Sequence, residues 1–172
     1  MLILTVGHST RTAAEFLDLL SAHAVEGIAD VRRFPMSRRH PHFSRDALAA
    51  RLAEHRIDYR HFEELGGRRR PNAASANTAW RNASFRAYAD YMSTDAFEDA
   101  IGSLLALAAV HRVAIMCAEA QWWRCHRQLI SDALLVRGID VRHIMSRSEA
   151  SAHQLTSFAR VDGQAVSYPG LI

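Results

Sequence analysis

Short, nearly unbroken apolar runs alternate along this chain with stretches in which apolar residues return every three or four positions. The first pattern suits strands buried on both faces, the second helices that cover them. Leu2–Val6 predicts the first strand. After the loop Gly7-His8-Ser9-Thr10-Arg11, Thr12-Ala13-Ala14-Glu15 fits a capping box, and Phe16, Leu19 and Leu20 follow at helical spacing. Gly27–Val31 predicts a second strand that runs into a proline-broken basic loop, Arg33–Phe43. Ser44 is placed to cap a helix with Leu48 and Leu52 on its inner face.

A third strand is expected over Ile57–Phe62, followed by Glu64-Leu65-Gly66-Gly67-Arg68-Arg69-Arg70-Pro71 and a polar stretch to Asn82. Its glycines and proline exclude regular structure, and a loop of this length either reaches over a site or is partly disordered. Helices over Phe85–Met92 and Thr94–Val110 precede a fourth strand, Val113–Cys117. A helix from about Cys125 to Arg137, stopped by Gly138, and a strand over Val141–Ile144 complete the pattern. Strands alternating with helices predict a single-domain, three-layer α/β fold: a mainly parallel sheet with helices on both faces. One domain is expected over residues 1–172, with 146–172 as a C-terminal extension that adds one short helix docked by Leu155 and Phe158. The pattern leaves strand order open.

Composition narrows the class. A chain of 172 residues buries about 70% of its unfolded surface and needs neither disulfide nor metal to fold. The longest apolar stretch, Leu104–Val110, falls far short of the roughly 18 residues that a membrane span requires. Strand one begins without a basic and then apolar leader, so a cytoplasmic location is expected. In that setting the two cysteines, eight positions apart, suit metal binding, catalysis or simple burial better than a disulfide. All 21 basic residues are arginine, and they are unevenly placed. Residues 32–70 hold 11 arginines against 5 acids, whereas the rest of the chain holds 10 against 13.

In open parallel sheets ligands gather outside the carboxyl ends of the strands. Three such ends offer polar groups: His8, Ser9 and Arg11 after strand one, Asp30 and Arg32 after strand two, and Cys117-Ala118-Glu119-Ala120-Gln121-Trp122-Trp123-Arg124-Cys125-His126-Arg127 after strand four. At the start of a helix, Cys125-His126-Arg127 suits an anion, because free N–H groups and the helix dipole favour negative charge and arginine can grip phosphate with two bonds. Arg32 and Arg11 would complete the clamp, unless these arginines simply pair with Glu119 or Asp30.

Cys125, beside arginine and histidine, also has the setting of a thiolate nucleophile, with burial as a small hydrophobe the alternative for either thiol. A phosphatase loop, Cys-x5-Arg, is missed by one residue, since six separate Cys117 from Arg124. Zinc could draw on Cys117, Cys125 and His126 with His8 or Asp30, but adjacent Cys and His rarely reach one ion, and no cofactor is predicted. The basic loops Arg32–Arg39 and Arg68–Arg70, with Arg68 and Arg69 nearest the glycines, could follow a nucleic-acid backbone while Phe34, Phe43, Trp122 or Trp123 stack on bases. His40, His42, His55, His61, His111 and His143 are expected at the surface or in ordinary hydrogen bonds. Tyr88 and Tyr91, at helical spacing, are expected in the core.

The identity and spacing of Gly7-His8-Ser9, Asp30-Val31-Arg32, Pro35, Ser37, Leu65-Gly66-Gly67 and Cys117-x-Glu119-x5-Cys125-His126-Arg127 resemble the bacterial and archaeal family catalogued as domain of unknown function 488. The resemblance spans nearly the whole chain and its last motif is highly specific. It implies no activity. It marks His8, Ser9, Asp30, Arg32, Cys117, Glu119, Cys125, His126 and Arg127 as motif residues, and Gln121-Trp122-Trp123 as a more aromatic loop than the family pattern leads one to expect.

The expected function is an enzyme acting on a phosphate-bearing substrate, a nucleotide or nucleic acid. His126 or His8 would be general acid or base, Cys125 the nucleophile, Arg32 and Arg127 the clamp, and Asp30 or Glu119 an orienting or proton-transferring carboxylate. Ser9, Arg11, Arg68 and Arg69 would add anion contacts. A non-catalytic nucleotide- or nucleic-acid-binding module is the alternative, and a metal-dependent hydrolase the third reading. No membrane partner is expected, and oligomeric state is not legible.

Overall fold

In the computed structural model, which describes residues 1–170, the strands β1 (Leu2–Gly7), β2 (Gly27–Asp30), β3 (Asp58–His61), β4 (Val113–Cys117), β5 (Asp140–Ile144) and β6 (Ser151–Ala152) form one sheet. Their order is β3-β2-β4-β1-β5-β6. Every pairing is parallel except that of β6, which runs antiparallel to β5. The helices are α1 (Ala13–Ala22), α2 (Arg45–Glu54), α3 (Ala83–Tyr91), α4 (Asp95–Ala108) and α5 (Arg127–Leu135).

Successive side chains along a strand point to opposite faces, and each face here builds its own core. Leu4, Val6, Ile28, Ala114 and Met116 pack with Phe16, Leu20 and Leu52 from α1 and α2. Ile3, Ala29, Val113, Ile115 and Val141 pack with Tyr88, Phe97, Leu104 and Leu129 from α3, α4 and α5. The sheet is therefore covered on both sides, each fully buried aliphatic contributing roughly 1.5–3 kcal/mol.

Local chemistry sets the element ends. Thr12 and Glu15 form both bonds of the capping box, at 3.1 and 2.7 Å. Ser44 stands at the N-cap of α2 but makes no side-chain cap; its hydroxyl faces the Ser37 N–H at 3.5 Å instead. Cys125 is extended, at φ −136° and ψ 154°, so α5 begins two residues later than its apolar spacing predicts.

The expected C-terminal helix does not form among the described residues. Residues 151–167 hold β6 and a hairpin of β7 (Arg160–Asp162) and β8 (Ala165–Ser167). Backbone groups that a helix would use are taken elsewhere: His153 N–H donates to the Val141 carbonyl at 2.7 Å and Thr156 N–H to Asp132 at 3.0 Å. Phe158 packs edge-on against Trp80. Tyr168 is buried, its N–H on Asn77 and its hydroxyl on Asp132, each at 2.8 Å.

β4 lies between β2 and β1, with Gly7 opposite Cys117 and Asp30 opposite Met116. The three strand ends that carry candidate residues are thus adjacent in space. Gly7 makes the closest approach: a Cβ there would lie 1.9 Å from the Glu119 carbonyl oxygen, so only glycine lets the loop after β4 cross β1.

Candidate active site

A cavity of about 610 Å³ opens over these ends, within the size range of small-ligand sites. Cys117, Cys125 and His126 line its floor and Arg33, Arg68 and Arg124 reach its walls. Phe34 and Met36, both well exposed, stand at its lip with Phe85.

A hydrogen bond fixes which nitrogen of His126 faces the thiol. Nε2 lies 2.9 Å from the Val31 carbonyl, which only accepts, so Nε2 carries a proton and Nδ1 is the nitrogen left to exchange one with Cys125. Nδ1 faces Cys125 Sγ at 3.4 Å. Cys117 Sγ lies 2.9 Å from the same sulfur, and the Arg127 backbone N–H, at the start of α5, points to it at 3.5 Å. Burial would push the Cys125 thiol up, but the Cys117 hydrogen bond, the His126 imidazole and the Arg127 charge hold it well below the ordinary thiol range. Burial and the neighbouring Cys125 sulfur push Cys117 well up. The pKa values of the two sulfurs are thereby pushed apart, ionisation being favoured at Cys125 over Cys117. Gly67, at the start of the long basic loop, packs so close to His126 that a Cβ would sit 3.2 Å from Nδ1. Arg68 follows in the left-handed region at φ 59°, a strained position for a residue other than glycine. The loop therefore reaches over the site.

Beside this pair stands a second group. Asp30, wholly buried, takes Arg32 Nε at 2.9 Å and Nη2 at 2.6 Å, and accepts the Tyr59 hydroxyl at 2.6 Å. The remaining Arg32 nitrogen donates to the Phe43 carbonyl at 2.8 Å and faces His8 Nε2 at 3.3 Å. Although burial disfavours its charge, the bond to Asp30 holds the Arg32 pKa above its ordinary value. His8 donates Nδ1–H to the Ser9 carbonyl at 2.9 Å and stacks on Phe43. Burial first, then the Arg32 charge, lower its pKa to about 4, against the pull of the Ser9 carbonyl and Asp30. His8 is a neutral acceptor at neutral pH.

The structure brings His8, Arg32, Arg68, Glu119, Cys125 and His126 to the cavity. Asp30 stands behind Arg32. Arg127 is wholly buried and donates inward, to the Glu119 and Ala120 carbonyls and to Thr5. Arg11 turns to the Gly7 and Met145 carbonyls, and Ser9, at φ 51°, lines a shallower neighbouring groove. Arg69 binds the Gly66 and Glu64 carbonyls and covers the Tyr91 ring. Ser84 and Phe85 are lining residues that sequence reasoning did not select, and neither carried a signal. Arg33, read only as part of the basic loop Arg32–Arg39, and Arg124, read only as a member of the Cys117–Arg127 run, reach the cavity as well. Among the described residues no three His, Cys, Asp or Glu side chains converge as a metal site requires.

Fold and site together define an open parallel α/β protein with a Cys–His pair at the carboxyl ends of its central strands. Residues 12–134 match the profile of the family described as Domain of unknown function DUF488, and the chain belongs to that family. No curated protein and no solved structure matches the chain.

Proposed function

We propose that this protein is an enzyme that attacks a phosphate-bearing substrate, a nucleotide or another phosphomonoester, with the Cys125 thiolate. The carrying observation is the 3.4 Å approach of His126 Nδ1 to Cys125 Sγ, with Nε2 already committed to Val31. That arrangement gives the thiol proton a place to go and leaves the sulfur ionised. Arg33, Arg68 and Arg124 supply the positive wall for phosphate, and Phe34 and Phe85 an aromatic lip for a base or aryl group. In the first step an S–P bond forms as the ester P–O bond opposite it breaks. The departing oxygen takes a proton from water on the open side, where Glu119 stands, and leaves hydroxide there. Hydroxide then attacks phosphorus, the S–P bond breaks, and phosphate leaves with Cys125 again a thiolate. Asp30, through Arg32, and Arg127, through the Glu119 loop, are positioning residues.

The second reading, a non-catalytic nucleotide- or nucleic-acid-binding module, is favoured by exposed Arg38 and Arg39 on the groove beside the cavity. Phosphate release from p-nitrophenyl phosphate and nucleoside monophosphates, measured under reductant, separates the two. The expected result is turnover by the wild type, its loss in Cys125→Ser, and retained nucleotide binding by that variant. Turnover unchanged in Cys125→Ser overturns the nucleophile. Binding without turnover, lost in Arg68→Ala and Arg124→Ala, establishes the binding module.

A further inference from the structure

Hydrogen bonding alone does not require sulfur at position 117, since a hydroxyl would donate to a thiolate as well. The two sulfurs are nevertheless set 2.9 Å apart, both as free thiols, and they are the only cysteines of the chain. Their backbones are pinned: Cys117 is paired with Gly7 in the sheet and its carbonyl accepts from His8 at 2.9 Å, while Cys125 N–H donates to the Trp122 carbonyl. A disulfide needs sulfurs about 2.05 Å apart, under about 1 Å closer than these stand. Both sulfurs border the cavity, so a small oxidant has a path to them.

We propose that Cys125 and Cys117 are a redox couple, in which Cys125 is oxidised by a hydroperoxide and Cys117 resolves it to a reversible intramolecular disulfide. The inference rests on the reading of Cys125 as the reactive thiolate. The Cys125 sulfur attacks the distal peroxide oxygen; an S–O bond forms, the O–O bond breaks, and the alkoxide or hydroxide leaves as alcohol or water with a proton from the His126 imidazolium. Cys117 then attacks the sulfenic sulfur, the S–O bond breaks, and hydroxide leaves as water with the Cys117 proton. Two thiols are oxidised and one peroxide is reduced. The disulfide removes the nucleophile from the site, and a dithiol restores it.

The test treats the reduced protein with equimolar hydrogen peroxide, alkylates what remains with N-ethylmaleimide, and reads intact mass. Expected is a monomer about 2 Da lighter than the reduced chain with neither thiol alkylated, reverting with dithiothreitol. Cys117→Ser is expected to hold Cys125 as a sulfenic acid that dimedone traps, and in Cys125→Ser the buried Cys117 should react at least roughly tenfold more slowly. Wild-type protein that keeps both thiols alkylatable after peroxide, or joins only between chains, overturns the couple. If Cys125 of the wild type still alkylates rapidly, that failure leaves the nucleophile reading standing; if Cys125 resists alkylation as well, both fall.

Discussion

Arg127 and Asp132, both wholly buried on α5, are the charged ends of a single hydrogen-bonded chain. Arg127 Nη1 donates to Thr5 Oγ1 at 3.3 Å, Thr5 meets His143 Nδ1 at 2.8 Å, His143 Nε2 meets His153 Nδ1 at 2.9 Å, and His153 Nε2 meets Asp132 at 2.8 Å. Because a carboxylate only accepts and a guanidinium only donates, every proton along the chain points the same way, and both imidazoles are satisfied while neutral. Trp122 lies flat on His143, at 4.0 Å between ring centroids, and joins the active-site loop to this network. Asp132→Ala would leave His153, the Thr156 N–H and the Tyr168 hydroxyl without their acceptor. At roughly 1–3 kcal/mol for each buried unpaired group, the expected loss of stability exceeds about 3 kcal/mol. Urea unfolding measures it, and a loss below about 1 kcal/mol would show that the network does not tie the C-terminal segment down.

The same burial makes stability depend on pH. The folded-state pKa of His8 is about 4 and that of His143 about 3, against 6.5 for a free imidazole. Burial is the larger cause in both, reinforced by Arg32 and His40 at His8 and by His153 and Arg127 at His143, while Asp30 and the Ser9 carbonyl act in the opposite sense on His8. Below pH 6.5 the unfolded chain binds protons that the folded chain refuses, so stability is complete above that value and falls as pH drops toward 4 and then 3. The slope is at most about 1.4 kcal/mol per pH unit for each histidine. His143→Gln can keep a bond to each neighbour without titrating. Its unfolding free energy should therefore fall less steeply than the wild type's between pH 6.5 and 4. Parallel curves would locate the acid sensitivity elsewhere.

How far sequence reasoning reached depended on the range of each contact. Strand ends, the Thr12–Glu15 capping box and the two faces of the sheet follow from periodicity within a few residues, and the convergence of His8, Asp30 and Cys117 follows from the rule that ligands gather at strand carboxyl ends. What arginines do once they arrive there is not local. Nothing in the sequence around Arg127 announces that its donors turn inward to Thr5, 122 residues away. His143 read as unremarkable because its partners, Thr5 and His153, lie on β1 and in the C-terminal segment. The C-terminal helix was misread because a half-buried Leu155 and an exposed Phe158 imitate helical spacing, while Asp132, invisible to any local window, collects the backbone of that segment.

Reactivity of Cys125 should be that of a thiolate. Alkylation by iodoacetamide, followed by mass spectrometry to separate the two thiols, is expected to be fast and flat across neutral pH, because the low thiol pKa that Cys117, His126 and Arg127 maintain against burial leaves the sulfur ionised there. In His126→Ala the proton loses its acceptor, and the inflection should move up toward the ordinary thiol range. An identical pH profile in that variant would assign the ionisation to the helix terminus and Arg127 instead of to the imidazole.

Two glycines separate folding from chemistry at this site. Gly7→Ala drives a methyl group into the Glu119 backbone, with 1.9 Å available where no Cβ fits, so β1 and the loop after β4 cannot both keep their places and the variant should fail to accumulate as folded protein. Gly67→Ala asks much less. Its Cβ would sit 3.2 Å from His126 Nδ1, a distance that a shift of a few tenths of an ångström relieves, and the expected stability change is within about 1 kcal/mol. That shift falls on the nitrogen that takes the Cys125 proton. The expected outcome is a folded protein whose Cys125 alkylates more slowly at neutral pH and whose profile moves in the direction of His126→Ala. Wild-type reactivity in Gly67→Ala would mean that the imidazole can move without cost to the thiolate, and the Gly67 loop would then serve the cavity's shape and not its chemistry.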